Sequence, residues 1–227
     1  MGIQRDFGKK GVVVAGDEQT AQAGALMLSE GGNSVDAAVA AGMAAFVCEV
    51  ALCGPLGGGV LLNRQASGQL DAVDFFARIP GLGIEKAGDV EFGDAVIDFG
   101  VTTQTFKVGR GAAALGLALP GLLEIHDRWG SLPLTTVVEP AVALGRNGFV
   151  VGSQMAYILE LIAPIFAYTP ESSALIQVDG RGPRQGERLH NSALADVLEL
   201  VARDRSYLHA LYADLVTHFG PSNGGLV

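Results

Sequence analysis

Apolar and polar positions divide the chain into a strand, two helices and a hairpin, followed by a long polar stretch and a helix-rich second half. Residues 12–15, VVVA, are a short apolar run ended by Gly16, the pattern of a brief strand. Asp17 then stands where an N-cap belongs, opening a helix to about Glu30 with Ala21, Ala25, Leu26 and Leu28 as its expected buried face and Gly31 as a left-handed stop. Asn33 and Asp36 have capping-box spacing for a second helix reaching about Val50, so two helices are separated by a two-glycine hinge. Residues 60–63 and 70–76 flank a polar turn at 66–68 and predict a β-hairpin.

Beyond the hairpin, residues 78–105 read as loop, with glycine and proline at irregular intervals and acidic residues between them. From Pro120 the pattern turns helical: PGLLEIHDRWG starts on proline and stops on glycine, and LPLTTVVEPAVALGRNG repeats the style, with Pro140 expected in a first turn or at a kink. Residues 153–166, 192–203 and 206–219 complete the helices, with VDGRGPRQGERL as a polar connector. Strands run out after the first third, which excludes a doubly wound parallel sheet and favours an α+β arrangement of helices on antiparallel strands. The length of 227 residues fits a single domain spanning 1–227.

Composition changes this picture in two ways. Glycine, at 32 residues, is about twice its usual share, and it gathers at turns, so backbones come close to one another or to a ligand. The net charge of −9, with no cluster of lysine or arginine, excludes a nucleic-acid partner. Cys48 and Cys53 lack companions at metal-ligand spacing and read as reduced thiols; no metal site and no cofactor is expected. The alanine-rich stretch 35–53 is interrupted by Asp36, Gly42 and Glu49, which argues against a membrane span. No signal peptide is visible, so the expected location is cytoplasmic, or periplasmic or secreted if a leader has been removed.

Conventional catalytic patterns are missing. GRGAAA, with Gly109, Gly111 and Ala114, satisfies the dinucleotide-binding spacing and Asp127 lies about the right distance on, but no second strand–helix unit follows. The glycines of 54–59 have no GK[ST] continuation, and neither a G-x-S-x-G elbow nor an H-E-x-x-H pair occurs. His126, His190, His209 and His218 are scattered on or beside predicted helices and read as surface or structural histidines.

Several blocks do resemble one family in order along nearly the whole chain. GGNSVDAAVAAGMAAFVCEVALCGPLGGGVLL resembles the large-subunit signature of the gamma-glutamyltransferase (gamma-glutamyltranspeptidase) family, a G-G-N-A-x-D-A-A-V-A helix followed by G-x-G-G-G and a strand. VVVAGDEQTAQAGALMLSEGG is similar to its opening strand and helix, AVDFFARIP to its D-F-R-E-x-x-P segment, GSLPLTTVVEPAVALGRNGFVV to its proline-containing helix and NSALADVLELVARD to a later helix. The resemblance implies an N-terminal nucleophile (Ntn) hydrolase fold, an αββα sandwich of which this chain is the helix-rich N-terminal part. It also implies self-cleavage, with gamma-glutamyl hydrolysis or transfer through an acyl-enzyme on the N-terminal threonine of a small subunit. A hydroxyl is a poor nucleophile at neutral pH, and the adjacent free amine supplies the base.

On that basis no catalytic residue is expected in this chain, which alone is predicted inactive. Its expected partners are the small subunit from the same precursor and a gamma-glutamyl or related amide substrate, with room for a homo-oligomer of heterodimers. The resemblance fails at one informative position. The family's D-F-R-E arginine grips the substrate α-carboxylate, and Phe76 stands there in DFFARIP. Arg78 has the same strand parity and is the candidate substrate-binding residue in its place; otherwise it is a solvated charge at a strand end. The alternative functions are an acylase-type relative acting on an amide that is not gamma-glutamyl, and a non-catalytic scaffold.

Overall fold

The computed structural model describes residues 3–4, as backbone, 11–83 and 88–227; the N-terminal reading of the remaining residues up to 10, and residues 84–87 of the expected loop, lie outside them. Strand β1 (Ile3–Gln4) pairs antiparallel with β2 (Val13–Val14). Helix α1 (Glu18–Ser29) starts on Asp17, whose carboxylate accepts the Gln19 N–H at 2.8 Å. It ends with Gly31 at φ +90°, the Gly31 and Gly32 N–H groups returning to the Leu28 and Met27 carbonyls. Helix α2 (Ser34–Cys48) carries the expected box: the Asn33 side chain accepts from Val35 and Asp36, while Asp36 Oδ2 accepts the Asn33 N–H at 2.8 Å.

Strands β3 (Val60–Arg64) and β4 (Leu70–Asp74) form the expected hairpin, with Val60 opposite Asp74 and Leu62 opposite Ala72. The segment expected as loop contains a second hairpin, β5 (Gly93–Asp98) with β6 (Thr103–Val108). Asp94 and Asp98, poor strand formers, hid it; Ala95 and Ile97, alternating with them, are its buried face. Then come α3 (Ala118–Trp129), α4 (Leu134–Asn147), β7 (Phe149–Val150), α5 (Ser153–Leu161), α6 (Ala163–Phe166), α7 (Pro170–Leu175), β8 (Arg188–Leu189), α8 (Ser192–Arg203) and α9 (Ser206–Phe219). Pro140 lies inside α4, not in its first turn. The helix expected over 153–166 breaks at Ile162, with Pro164 in the first turn of α6.

These elements fall into two compact units. The first comprises Met1–Ala77, Gly116–Phe149 and His190–Arg205. Its centre is α2, which packs on α1, α3 and α4, while α4 also packs on α8. Val39, Ala40, Met43 and Ala44 on α2 are fully buried beside Met27, Leu119, Ile125, Val137 and Leu198. The small residues of α1 and α2 let the helices approach closely: a Cβ on Gly24 would lie 2.8 Å from the Ala37 carbonyl oxygen. This contact rotates α1 away from the expected face. Thr20, Ala21, Ala23, Gly24 and Met27 are buried, Ala25 and Leu28 are half-buried, and Leu26 is exposed. Arg146 on α4 donates to Asp196 and Glu199 of α8 at 2.8 and 2.6 Å.

The second unit comprises Arg78–Leu115, Val150–Leu189 and Ser206–Val227. Here α6 packs on β5, and Val151, Met155, Leu159 and Ile176 are buried. Glu91 ties its parts together: its carbonyl accepts the Gly111 N–H, its N–H donates to the Gly224 carbonyl, and its carboxylate accepts from the Tyr168 hydroxyl at 3.1 Å. Val178 and Arg181 bridge across Asp179 and Gly180, both at positive φ, as in a primed hairpin turn.

Candidate functional site

The glycine-rich loop and the segment after β4 meet at the start of α3. Helix α3 has no capping side chain, and its first N–H groups are instead taken up by the loop. Leu117 and Ala118 donate to the Gly57 carbonyl at 2.9 and 3.0 Å, and Leu119 donates to the Pro55 carbonyl at 3.0 Å. Pro120 at the next position has no N–H to satisfy, so the turn is complete without a cap residue. The loop therefore serves as the helix cap, which closes this N-terminus to anions.

Such a cap requires backbone against backbone. A Cβ on Gly116 would lie 1.9 Å from the Leu56 carbonyl oxygen, and one on Gly58 would lie 2.3 Å from the Ala77 nitrogen. Only glycine fits either place. Before the first residue of β3 and past the last of β4 the ladder goes on: the Phe75 N–H donates to the Gly59 carbonyl at 3.0 Å and the Gly59 N–H to the Phe75 carbonyl at 3.3 Å. The Phe75 ring packs on Gly59 and Gly121, and the Phe76 N–H donates to Asp74 Oδ1 at 2.9 Å. The Phe76 backbone thus lies close against Gly58 and donates to Asp74, while its side chain is 60% exposed.

Arg78, the candidate substrate-binding residue, exchanges two backbone hydrogen bonds with Leu115, both 2.9 Å, and its side chain is exposed. Exposure alternates along this stretch, Phe76 and Arg78 exposed and Ala77 half-buried, as a persisting extended chain requires. Phe76 belongs to the first unit and Arg78 to the second.

Behind α3, an acidic group reaches far beyond its own helix. Asp36 is fully buried, and besides its box with Asn33 it accepts the Ser131 and Leu132 N–H groups at 2.9 and 3.2 Å and the Ser131 hydroxyl at 2.5 Å. Burial pushes its carboxyl up, but the Ser131 hydroxyl and the N–H groups of Asn33, Ser131 and Leu132 outweigh that and hold it below the usual carboxylate range. Asn33 Nδ2 donates to the Trp129 carbonyl at 2.7 Å. His126, buried, has Nε2 3.0 Å from the Leu132 carbonyl, which can only accept, and 3.6 Å from Asp36 Oδ1. The α3–α4 turn is thereby fastened to the start of α2. In sequence, Asp36 shows only its capping spacing; its partners some 95 residues on have no local signal.

The remaining expected groups are dispersed. At GRGAAA, β6 runs into a single 3-10 turn (Arg110–Ala112), and the Gly111 and Ala112 N–H groups are already donated to the Glu91 and Gly109 carbonyls, so no amide cradle faces a pyrophosphate. Cys48 is buried and Cys53 half-buried; burial, with Glu49 adding to it, pushes the Cys53 thiol up to about 11, and burial likewise raises Cys48. His190 Nδ1 lies 3.1 Å from the Arg146 carbonyl, while His209 and His218 stand on α9. No described helix is long and apolar enough to cross a membrane.

Comparison with known proteins places these features in a family. A family model described as Gamma-glutamyltranspeptidase matches residues 20–225. Among curated proteins, the acylase ACY 1 proenzyme of Pseudomonas sp. (strain SE83) is 32% identical over 224 residues, covering 97% of this chain and 40% of the relative. The glutathione hydrolase proenzyme of Escherichia coli (strain K12) is 30% identical over 223 residues, covering 96% of this chain and 37% of the relative. The chain thus spans about two-fifths of the length of the curated relatives it matches. Of solved structures, the gamma-glutamyltranspeptidase of Helicobacter pylori aligns with a TM-score of 0.79 at 23% identity, over 99% of this chain and 63% of that one. That of Pseudomonas nitroreducens, complexed with L-DON, aligns at 0.76 and 26% identity, over 96% and 62%. The helix-rich α+β architecture is therefore that of the Ntn hydrolase fold of these enzymes.

Proposed function

Because the chain belongs to the gamma-glutamyltranspeptidase family, we propose that it forms part of an amidohydrolase or acyltransferase working through a threonine acyl-enzyme, with the threonine on a second subunit of the same precursor. The threonine hydroxyl attacks the amide carbonyl and its own α-amine takes the proton; the amine half of the substrate leaves, and water or an amino acid resolves the ester. This chain contributes a wall of the acyl-donor site. The observation that carries the reading is the backbone clamp on residue 76, the position matching the family's carboxylate-gripping arginine, held by Gly58, Gly59 and Asp74 with its side chain outward.

That same residue favours a second reading of the donor. A phenylalanine offers no charge to an α-carboxylate, so the donor is an acyl amide without one, as suits a relative of a protein named an acylase. If the donor does carry an acidic group, Arg78 is the guanidinium to meet it. The test is to express the complete precursor and compare kcat/KM for a gamma-glutamyl anilide with that for an anilide of the same chain length lacking the α-amino and α-carboxylate groups. Intact mass should reveal a threonine-starting polypeptide, and the second substrate should be preferred. A precursor that neither cleaves itself nor turns over either amide supports a non-catalytic scaffold instead.

A further inference from the structure

The first unit carries a groove that acyl transfer leaves unused. Helices α4 and α8 run antiparallel: Gly145 and Arg146, late in α4, meet Asn191, Ala195 and Asp196, early in α8. A Cβ on Gly145 would lie 2.9 Å from the Asn191 carbonyl oxygen, so the pair is in close contact there. Along the same two helices lies a cavity of about 380 Å³, bounded by Val138, Glu139, Val142 and Arg146 of α4 and by Ala202 and Arg203 of α8. Its α4 positions recur at intervals of three and four residues, so the groove follows one face of that helix for about three turns. The floor is apolar, with Val138 and Val142 buried and Ala202 half-buried.

The rim is charged, and its charges do not cancel. Arg146 donates to Asp196 and to Glu199 Oε2, and Arg203 donates to Glu199 Oε1 at 2.7 Å. Glu139, exposed, has neither a hydrogen bond nor an ion pair among the described residues. Two arginines thus stand against three carboxylates, and the surplus charge is that of Glu139. Beside a half-enclosed apolar floor that charge acts through a lower effective dielectric than in open water. We propose that the groove binds a primary alkylammonium, with the ammonium on Glu139 and the alkyl chain along Val138, Val142 and Ala202. An anion of the same shape meets the surplus carboxylate and finds both guanidinium groups already on acids, while a neutral chain leaves Glu139 unanswered. A second copy of this chain, with a net charge of −9, brings no surplus of positive charge to the groove. The site stands independently of the acyl-transfer reading.

Calorimetric titration of the complete protein with hexylammonium chloride, with no acyl donor present, tests this. 1-Hexanol and hexanoate are the neutral and anionic controls of the same chain length, and Glu139→Gln removes the charge while keeping the shape. Hexylammonium is expected to bind saturably, at least tenfold more tightly than either control. Glu139→Gln should weaken it at least tenfold without lowering Tm, because Glu139 is exposed and unpaired. Ala143→Leu, at the exposed edge of the groove, should weaken it as well with the charge left in place. No saturable heat at millimolar ligand overturns the proposal. Binding that survives Glu139→Gln belongs to another site, such as that of an acyl acceptor, and also overturns it. Equal affinities for hexylammonium and 1-hexanol overturn the assignment to a cation. Self-association in sedimentation that Glu139→Gln abolishes gives the groove to a second copy and overturns the proposal too. Glu139-dependent binding in a protein that turns over no amide upholds the site and counts against the acyl-transfer reading instead.

Discussion

Replacing Asp36 should loosen the first unit more than any other single polar change. Asp36→Ala removes the acceptor for three backbone N–H groups, those of Asn33, Ser131 and Leu132, and for the Ser131 hydroxyl, all around a carboxylate with no exposed surface. Each buried donor left without a partner costs about 1–3 kcal/mol, less where water enters, so a total loss of about 3–5 kcal/mol is expected. Asp36→Asn keeps the shape and one oxygen but turns an NH2 toward groups that themselves donate, and should cost about 1–3 kcal/mol. Urea unfolding of the complete protein measures the total. Native-state hydrogen exchange at the Asn33, Ser131 and Leu132 amides measures the local part. The hydrogen bonds hold the Asp36 carboxyl below its usual value, so its stabilisation is complete above the usual carboxylate range near pH 4 and fades as pH falls through the depressed folded value. A loss under 1 kcal/mol for Asp36→Ala, or unchanged protection at those three amides, would refute the reasoning. The consequence reaches the candidate site, because the turn that Asp36 fastens ends α3, whose other end rests on the loop that clamps residue 76.

Other outcomes follow from the same geometry. Phe76→Arg should raise kcat/KM for gamma-glutamyl anilides at least tenfold, by supplying the fork that an α-carboxylate needs; no gain means the position does not touch the donor. Arg78→Ala should raise KM for donors with an acidic acyl group more than tenfold and leave neutral donors unchanged, whereas equal KM values would return Arg78 to a structural role. Gly116→Ala forces a methyl to within 1.9 Å of the Leu56 carbonyl oxygen and should cost about 2 kcal/mol or more, seen as a fall of several degrees in Tm with faster exchange at the Leu117 and Ala118 amides.

Local signals settled much of the secondary structure. Asp17 and the Asn33–Asp36 box cap helices where the chain says they should, because an N-cap needs only a short polar side chain and three following residues. The β3–β4 hairpin is legible for a similar reason: period two and a polar turn are properties of the segment itself. The β5–β6 hairpin was hidden because Asp94 and Asp98 depress strand propensity, and it forms through cross-strand pairing and burial of Ala95 and Ile97.

The sequence by itself determined the caps of α1 and α2, the first hairpin and the family blocks. Tertiary structure alone decided which face of α1 is buried, since the Gly24–Ala37 approach sets its rotation and leaves Leu26 outside. It also decided that Asp36 joins segments far apart in the chain, that the Pro55 and Gly57 carbonyls cap α3, and that Gly59 supports the strand end next to Phe76. The physical reason is the same in each case. Caps, periods and turns act over a few residues and are written in order. A buried carboxylate's donors and the surface a glycine must not touch are fixed only when distant segments meet.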